Sequence, residues 1–450
     1  MFSFSLTCLS SFFISLGQAK EFTLALAGKN GKKKVGITME FSLGYGKSLV
    51  RFEMPPGVDC TEIAYRAERQ EDEAALIQQA LKQPIGSMPL QTLAAGKRSA
   101  VILISDASRL SPSHKFLPLL LDELREGGLS LSQIQVVVAL GMHRKQTERE
   151  LKELVGEAVY DSVQVMNHSA LPADCVSLGT TALGTPVEIF RPVAESELRI
   201  ATGNIEPHGL AGVSGGVKAL MPGVSSQRSI QHNHSFSMKW KTHPGDPENP
   251  IRKDMEEALQ FLPIHFLFNT VVNHRQEILG AAAGDIKEAH RILADQAKKN
   301  FLVPIHRKFE AVIASAGGYP KDMQLYQAVK SLQNASKVVK PGGKILLIAE
   351  CKEMFGNGLF QYWVETVQNP SRITQMMKEE FVLGAHKVTH IEEVLRQHEV
   401  YFYSEIPEST IELLGFKPVA DLQGCIDQLV QNGSVAVMPY AALTFPVYNE

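Results

Sequence analysis

Residues 99–140 read SAVILISDASRLSPSHKFLPLLLDELREGGLSLSQIQVVVAL. The two ends, SAVILIS and IQVVVAL, are short, nearly unbroken runs of aliphatic residues, and such runs form strands buried on both faces. Between them, residues 114–126 carry apolar side chains at helical spacing. A buried strand, a helix and a second buried strand make the βαβ unit of a parallel sheet. Polar residues follow each strand: Asp106, Ser108 and Arg109 after the first, His143 and Arg144 after the second. Open parallel sheets bind their ligands in the loops at such strand ends.

The same rhythm extends outward in both directions. Upstream lie the strand KSLVRFEM and a helix over 72–82; downstream lie a helix starting near Thr147 and a strand candidate at 198–205. A glycine-rich loop and an exposed Pro/Gly/Asp cluster at 243–250 come next, then a helix over 252–259, the strands FLFNTVVN and ILGAAAGD, and a helix over 287–300. A fresh series opens at Phe309 with EAVIASAGG, continues through a helix over 325–335 and reaches the strand KILLIAE. The chain therefore reads as α/β: two α/β domains, 39–303 and 304–450, with a cofactor and substrate cleft between them. A length of 450 residues agrees, because it exceeds what one hydrophobic core usually organises.

Composition excludes several classes. With 44% apolar and 21% charged residues the chain is of ordinary globular type. A net charge of -3, from 45 basic and 48 acidic side chains, gives no reason to expect nucleic acid or an anionic membrane as partner. After the N-terminal run, no segment approaches the roughly 18 apolar residues a membrane span needs. The five cysteines, Cys8, Cys60, Cys175, Cys351 and Cys425, are odd in number and form no CxxC pair, as expected of reduced thiols in a cytoplasmic protein. The opening MFSFSLTCLSSFFISLGQAK resembles a secretory signal, yet no Lys or Arg precedes its apolar run. Residues 1–38 read as a signal-like extension or as sequence ahead of a true start at Met39.

Five stretches carry candidate chemistry. In ISDASRLSP, Arg109 offers a planar fork for a carboxylate, while Asp106 and Ser108 equally suit a helix cap. In GMHRKQTERE, His143 can exchange a proton near neutral pH, or be a solvated histidine ahead of a helix capped at Thr147 with Glu150. The run GNIEPHGLAGVSGGVKALMPG, residues 203–223, holds His208, Ser214, Gly215, Gly216 and Lys218. Its glycines leave backbone amides free for a phosphate or a flat ring. It also satisfies G-x-S-x-G, but the candidate strand ends too early for a nucleophile elbow, which leaves Ser214 as a turn or phosphate-contact residue. Further on, His232 and His234 would point the same way if their segment were extended, as a metal pair does. Finally, Gln327 and Lys330, beside Tyr326, share a helix face that could close on a carboxylate or hydroxyl. GYGKS at 44–48 lacks the first glycine of a P-loop, and PGG at 341–343 lacks the cofactor loop of a methyltransferase.

Taken in order, these stretches resemble the nickel-pincer lactate racemase family over nearly the whole chain after Met39. The likeness rests on Asp106-Ala-Ser-Arg109-Leu for D-x-T-R-P, Gly141 to Arg144 for G-x-H-R, residues 205–223 for I-E-P-H…G-x-S-G-G-x-K…P-G, the downstream His234, and Tyr326 to Lys330 for Y-Q-x-x-K. The resemblance implies a racemase or epimerase of a small 2-hydroxy acid. It implies a nickel-pincer nucleotide, a pyridinium mononucleotide that grips nickel through sulfur, carbon and sulfur, takes a hydride from the substrate and returns it to the other face. Lys218 would tether the cofactor through a thioamide, His234 would complete the nickel sphere, and Asp106, Ser108, Ser214, Gly215 and Gly216 would contact the cofactor. His143 and His208 would be the two bases, and Arg109, Tyr326, Gln327 and Lys330 would hold the substrate. Separate pincer-biosynthesis enzymes would be partners. Ser108, Leu110, Leu140 and Val217 stand where the family commonly has Thr, Pro, Thr and Arg, and Val217 is expected to remove a cation beside the cofactor loop. Two alternatives go with this reading: another redox-neutral hydride transfer on a hydroxy or sugar acid, and a non-catalytic cofactor carrier.

Overall fold

In the computed structural model, which describes residues 22–27, 34–67, 69 and 71–448, Ala100–Ser105 and Ile134–Ala139 lie side by side and parallel. They belong to a six-stranded sheet ordered Ile278–Gly284, Phe266–Val272, Leu198–Asn204, Ala100–Ser105, Ile134–Ala139, Gln164–Asn167. Every neighbour pair is parallel except Ile278–Gly284 against Phe266–Val272. The aliphatic runs are central because both faces are covered: Val101, Ile102, Leu103 and Ile104 are fully buried. Thr147 caps the helix Glu148–Val155 in a reciprocal box with Glu150.

Strand order locates the ligand-binding edge. From Ala100–Ser105 the chain moves outward through Ile134–Ala139 and Gln164–Asn167, then returns to Leu198–Asn204 on the other side of Ala100–Ser105. Order reverses there, and the crevice at such a switch point is where open α/β sheets bind ligands. A second six-stranded sheet, all parallel, runs Lys417–Pro418, Glu399–Tyr403, Val339–Ile348, Phe309–Ser315, Val435–Met438, Cys60–Glu62. Its reversal falls between Phe309–Ser315 and Val435–Met438.

The domain division differs from the expected 39–303 and 304–450 at the N-terminus. Cys60–Glu62 is the edge strand of the second sheet. The hairpin of Lys34–Tyr45 with Ser48–Met54 also packs on that sheet, burying Phe41, Leu43, Phe52 and Met54 against Ala311, Ile313, Leu346 and Ile348. An amphipathic strand declares that one face is buried, and its pattern is silent about which sheet buries it. The first core begins at Tyr65, and the chain end returns to it through Leu443 and Phe445. Phe445–Tyr448 also runs parallel to Leu302–Ile305.

Most of residues 1–38 lies outside the described residues, although Phe22–Ala27 pairs antiparallel with part of Lys34–Tyr45. GYGKS is the tight hairpin turn, with Gly46 at φ 54. Its backbone steers a loop of the second domain: the Gly46 amide donates to Asp322 Oδ2 at 2.7 Å, and Tyr319 N donates to Gly46 O at 2.8 Å. Among the described residues no helix is long and apolar enough to cross a membrane.

Candidate active site

Asp106 stands one residue beyond Ala100–Ser105, 3% exposed, with both carboxylate oxygens engaged. Oδ1 accepts from Ser108 N at 2.9 Å, and Oδ2 lies 3.1 Å from His143 Nδ1. Burial alone would raise the Asp106 carboxyl; the imidazole of His143 and the guanidinium of Arg109 outweigh it and hold the group well below the usual carboxylate range. Asp106 thus orients His143, and Ser108 Oγ, 3.4 Å from His143 Nδ1, joins the same cluster. The hydrogen-bond network assigns the His143 proton to Nδ1 and leaves the Nε2 lone pair open. The His143 loop is tied to the glycine-rich loop by Gly141 N donating to Gly223 O at 2.9 Å.

His208 is held the other way. In the turn between Pro207–His208 and Gly212–Val213, its Nδ1 accepts from Leu210 N at 3.1 Å and Ala211 N at 3.2 Å. Its proton therefore sits on Nε2. Burial, followed by the charges of Lys218, Lys330, Arg109 and Lys387, pushes its pKa well below the ordinary histidine value.

The glycine-rich loop is not the cradle of free amides expected from its composition. Gly216 N donates to Asn269 Oδ1 at 2.8 Å, and the amides of Val213, Ser214 and Lys218 each find a carbonyl within the loop or beside it. Ser214 Oγ donates to Asn204 O and accepts from Glu206 N, both at 2.8 Å, so it is a turn residue. Gly215 and Gly216 are glycines because φ is 68 and 59 and because a Cβ would press on Asn269 and on Arg252 with His290, respectively. Ser214, Gly215 and Gly216 shape the loop that carries Lys218. Val217 is 1% exposed in the first core, as are Leu110 and Leu140 at 2% and 3%. Val217 therefore points away from the cleft, and the cation beneath the loop is Arg252, which donates to Val213 O at 2.8 Å and Gly215 O at 3.3 Å.

His234 lies on the helix Gln227–Ser235, capped by Ser226, and not on an extended segment. Two residues apart on a helix, the histidines diverge: His232 Nδ1 bonds Thr185 Oγ1 at 3.0 Å. The buried His234 ring faces the Ile230 backbone, which favours its charged form, but burial and the nearby Lys218 outweigh this and push its pKa down to about 3. Lys218 is itself pushed well below the ordinary lysine value, by burial first and then by Arg109 and Arg252.

The second domain supplies the facing wall. Tyr326, Gln327 and Lys330 lie on the helix Leu325–Ser336. The Tyr326 ring stands edge-on to His143 at 6.1 Å between centroids, and burial pushes its hydroxyl up to about 12. Gln327 Nε2 is buried without a partner. Lys330 is pushed well below its ordinary value by burial and then by Arg109 and Lys321. Arg109, His143, His208, Lys218, His234, Tyr326 and Lys330 thus meet around one cleft.

Sequence reasoning missed several residues there. Glu206, quoted within IEPH but given no role, forms a buried pair with Lys321 across the domains at 2.7 and 2.9 Å. His386, Lys387 and His390, around the helix Lys387–Leu395, also reach the cleft. Lys387 Nζ sits 4.6 Å over the Tyr326 ring, and His386 approaches the same ring at 6.2 Å. The H-x-x-x-H spacing of 386–390 was the available signal, since helical residues four apart share a face. Among the described residues, no three metal-ligating side chains cluster.

A cleft between two α/β domains, lined by cations and by two histidines in opposite tautomers, is an arrangement that can bind an anion and move protons on it. Residues 45–245 match the lactate racemase N-terminal domain and residues 306–439 the lactate racemase C-terminal domain. The chain belongs to the lactate racemase family and is an isomerase. It is 34% identical over 342 residues to the lactate racemase of Thermoanaerobacterium thermosaccharolyticum, covering 73% of this chain and 78% of that one. It is 35% identical over 302 residues to the lactate racemase of Lactiplantibacillus plantarum, covering 66% and 71%. The lactate racemase apoprotein structure from T. thermosaccharolyticum superposes with a TM-score of 0.81 at 29% identity, over 91% of this chain and 100% of that one. A Thermotoga maritima protein shares the fold at a TM-score of 0.67 and 17% identity, over 86% and 100%.

Proposed function

We propose that the chain racemises a 2-hydroxy acid of the lactate type in this cleft, as the names of its relatives suggest. The observation that carries the reading is the pair of histidines. His143, with Nδ1 on Asp106, presents an open Nε2 that can accept a hydroxyl proton; His208, with Nδ1 on two amides, presents an Nε2–H that can donate one. Arg109 and Lys330 hold the carboxylate, the former by its planar fork. Tyr326 and Gln327 fix the hydroxy acid between the two rings. Such positioning decides whether the acid is held in a reactive geometry at all.

The residues present fit a nickel-pincer nucleotide. His234 offers a buried, neutral imidazole that could serve as a single metal ligand, and Lys218 offers an amine whose depressed pKa favours the nucleophilic form a covalent tether requires. When bound, the group supplies a reversible hydride acceptor for the substrate carbon. A carrier of that group would need Lys218 alone and would have no use for two oriented histidines.

Co-expression with pincer-biosynthesis enzymes should yield protein with about one nickel per chain and a mass increment on the Lys218 peptide. That preparation should racemise lactate. Nickel at background together with no racemisation of any 2-hydroxy acid would overturn the proposal.

A further inference from the structure

We propose that Lys387, with His386 and His390, forms a subsite for a second anionic group on the substrate, so that the preferred substrate is a dicarboxylic 2-hydroxy acid. The inference rests on the racemase reading of the cleft and specifies its substrate class.

Charge in the cleft is unbalanced. Asp106 lies against His143 and 3.8 Å from Arg109 Nε, and Glu206 is neutralised by Lys321. Lys218, Lys330 and Lys387 have no ion-pair partner among the described residues. Lys218 would be taken up by the tether, and a single carboxylate is satisfied by Arg109 and Lys330. Lys387 is left over. It is 8% exposed, and among the described residues its ammonium meets the face of Tyr326 and no hydrogen-bond or ion-pair partner. No carboxylate pairs with it among the described residues. Ammonium groups buried without an anion are costly, and this one is compensated only when an anion arrives.

The neighbours suit that anion. His386 Nδ1 accepts from Gly384 N at 3.0 Å, which leaves its Nε2–H as a donor. His390 lies one helical turn on, with its ring 5.8 Å from that of His386. The anion could be a substrate carboxylate or a nucleotide phosphate. Lys387 and His143 flank the same tyrosine ring, which puts the subsite beside the proton-transfer histidine, at the substrate's end of the cleft. Lactate would present a methyl group to Lys387. A 2-hydroxy acid with a carboxylate at its far end would pair with it.

Binding to the cofactor-free chain is measured with malate, lactate and inorganic phosphate, and turnover of malate and lactate with the cofactor-loaded enzyme. Malate should bind at least about tenfold tighter than lactate and be turned over with the higher kcat/KM, and Lys387→Met should reduce that preference at least about tenfold. Lys387→Arg, which keeps the charge, should retain most of it. Equal affinity for malate and lactate in the unaltered protein overturns the proposal, as does a preference unchanged in Lys387→Met. So does phosphate binding that depends on Lys387 where malate binding does not, which would assign the lysine to the nucleotide. If no acid is turned over, the racemase reading falls while the cofactor-free affinities still decide the subsite. If Lys387→Met lacks a cooperative melting transition, the preference of the unaltered protein decides.

Discussion

The two walls of the cleft are built on different principles. On the first-domain wall the groups around the two proton-transfer histidines already have partners: Asp106 with His143 and Ser108, His208 with two amides, Ser214 with Asn204 and Glu206. On the second-domain wall the groups wait. Gln327 Nε2 has no partner and Lys387 has only a ring face. A wall whose hydrogen bonds are satisfied holds tautomers fixed, which proton transfer requires, while a wall of unpaired cations holds affinity in reserve for an anion. On the proposed reading, proton transfer belongs to the first wall, and recognition is shared between Arg109 and the second.

The largest effect should come from breaking the organised wall at Asp106. Asp106→Asn keeps the shape but removes the charge that holds the His143 proton on Nδ1. An orienting carboxylate of this kind is worth on the order of 10²–10⁴-fold in rate. We expect that loss in the kcat of the cofactor-loaded enzyme, with KM for the acid changed far less and the fold retained by circular dichroism. A loss below about tenfold would mean that His143 is oriented by something else, and the contrast between the walls would weaken.

The next effect tests where the walls join. Glu206 and Lys321 are 8% and 7% exposed and pair across the domains. Glu206→Gln leaves the Lys321 ammonium buried without its anion, a change that costs about 3–5 kcal/mol when a buried pair is broken. The denaturation midpoint should fall accordingly. A shift below about 1 kcal/mol would show that water reaches Lys321 when the domains part, making the junction a surface pair.

Much of this was legible in the sequence, for identifiable reasons. SAVILIS, IQVVVAL and FLFNTVV are short, mostly apolar runs of the kind that strands buried on both faces carry, so the first sheet and the loops that bear Arg109 and His143 could be placed. The hairpin of Phe41 and Phe52 could not be assigned to a sheet, because alternation records burial without naming the partner. Glycines in 203–223 suggested open amides, whereas tertiary contacts with Asn269 and Arg252, more than 30 residues downstream, consume them or fill the space beside them. Lys387 sits inside the H-x-x-x-H spacing of 386–390, which marks a shared helix face without saying what that face meets. Its significance comes from the absence of a neighbouring carboxylate, which is a property of the folded cleft and not of local sequence.

The smallest effect should come from the cleft rim, where the domains meet again at Arg144 and Glu353. Nε of Arg144 lies 3.2 Å from Glu353 Oε2, and the two side chains are 42% and 29% exposed. Arg144 also holds Glu150 at 2.6 and 2.8 Å, so Glu353→Gln leaves the guanidinium paired within its own domain. Water and salt screen such a pair, and exposed ion pairs contribute about 0–1 kcal/mol. Glu353→Gln should therefore move the denaturation midpoint by less than about 1 kcal/mol, and the difference should vanish near 1 M salt. The pair crosses the same interface as Glu206 with Lys321 and has the same formal charges, so burial and the second partner of Arg144 at Glu150 separate the two expectations. A Glu353→Gln loss that matched Glu206→Gln and persisted in salt would show that the rim stays closed and dry, and that the domains are fastened at their edge as firmly as beside His208.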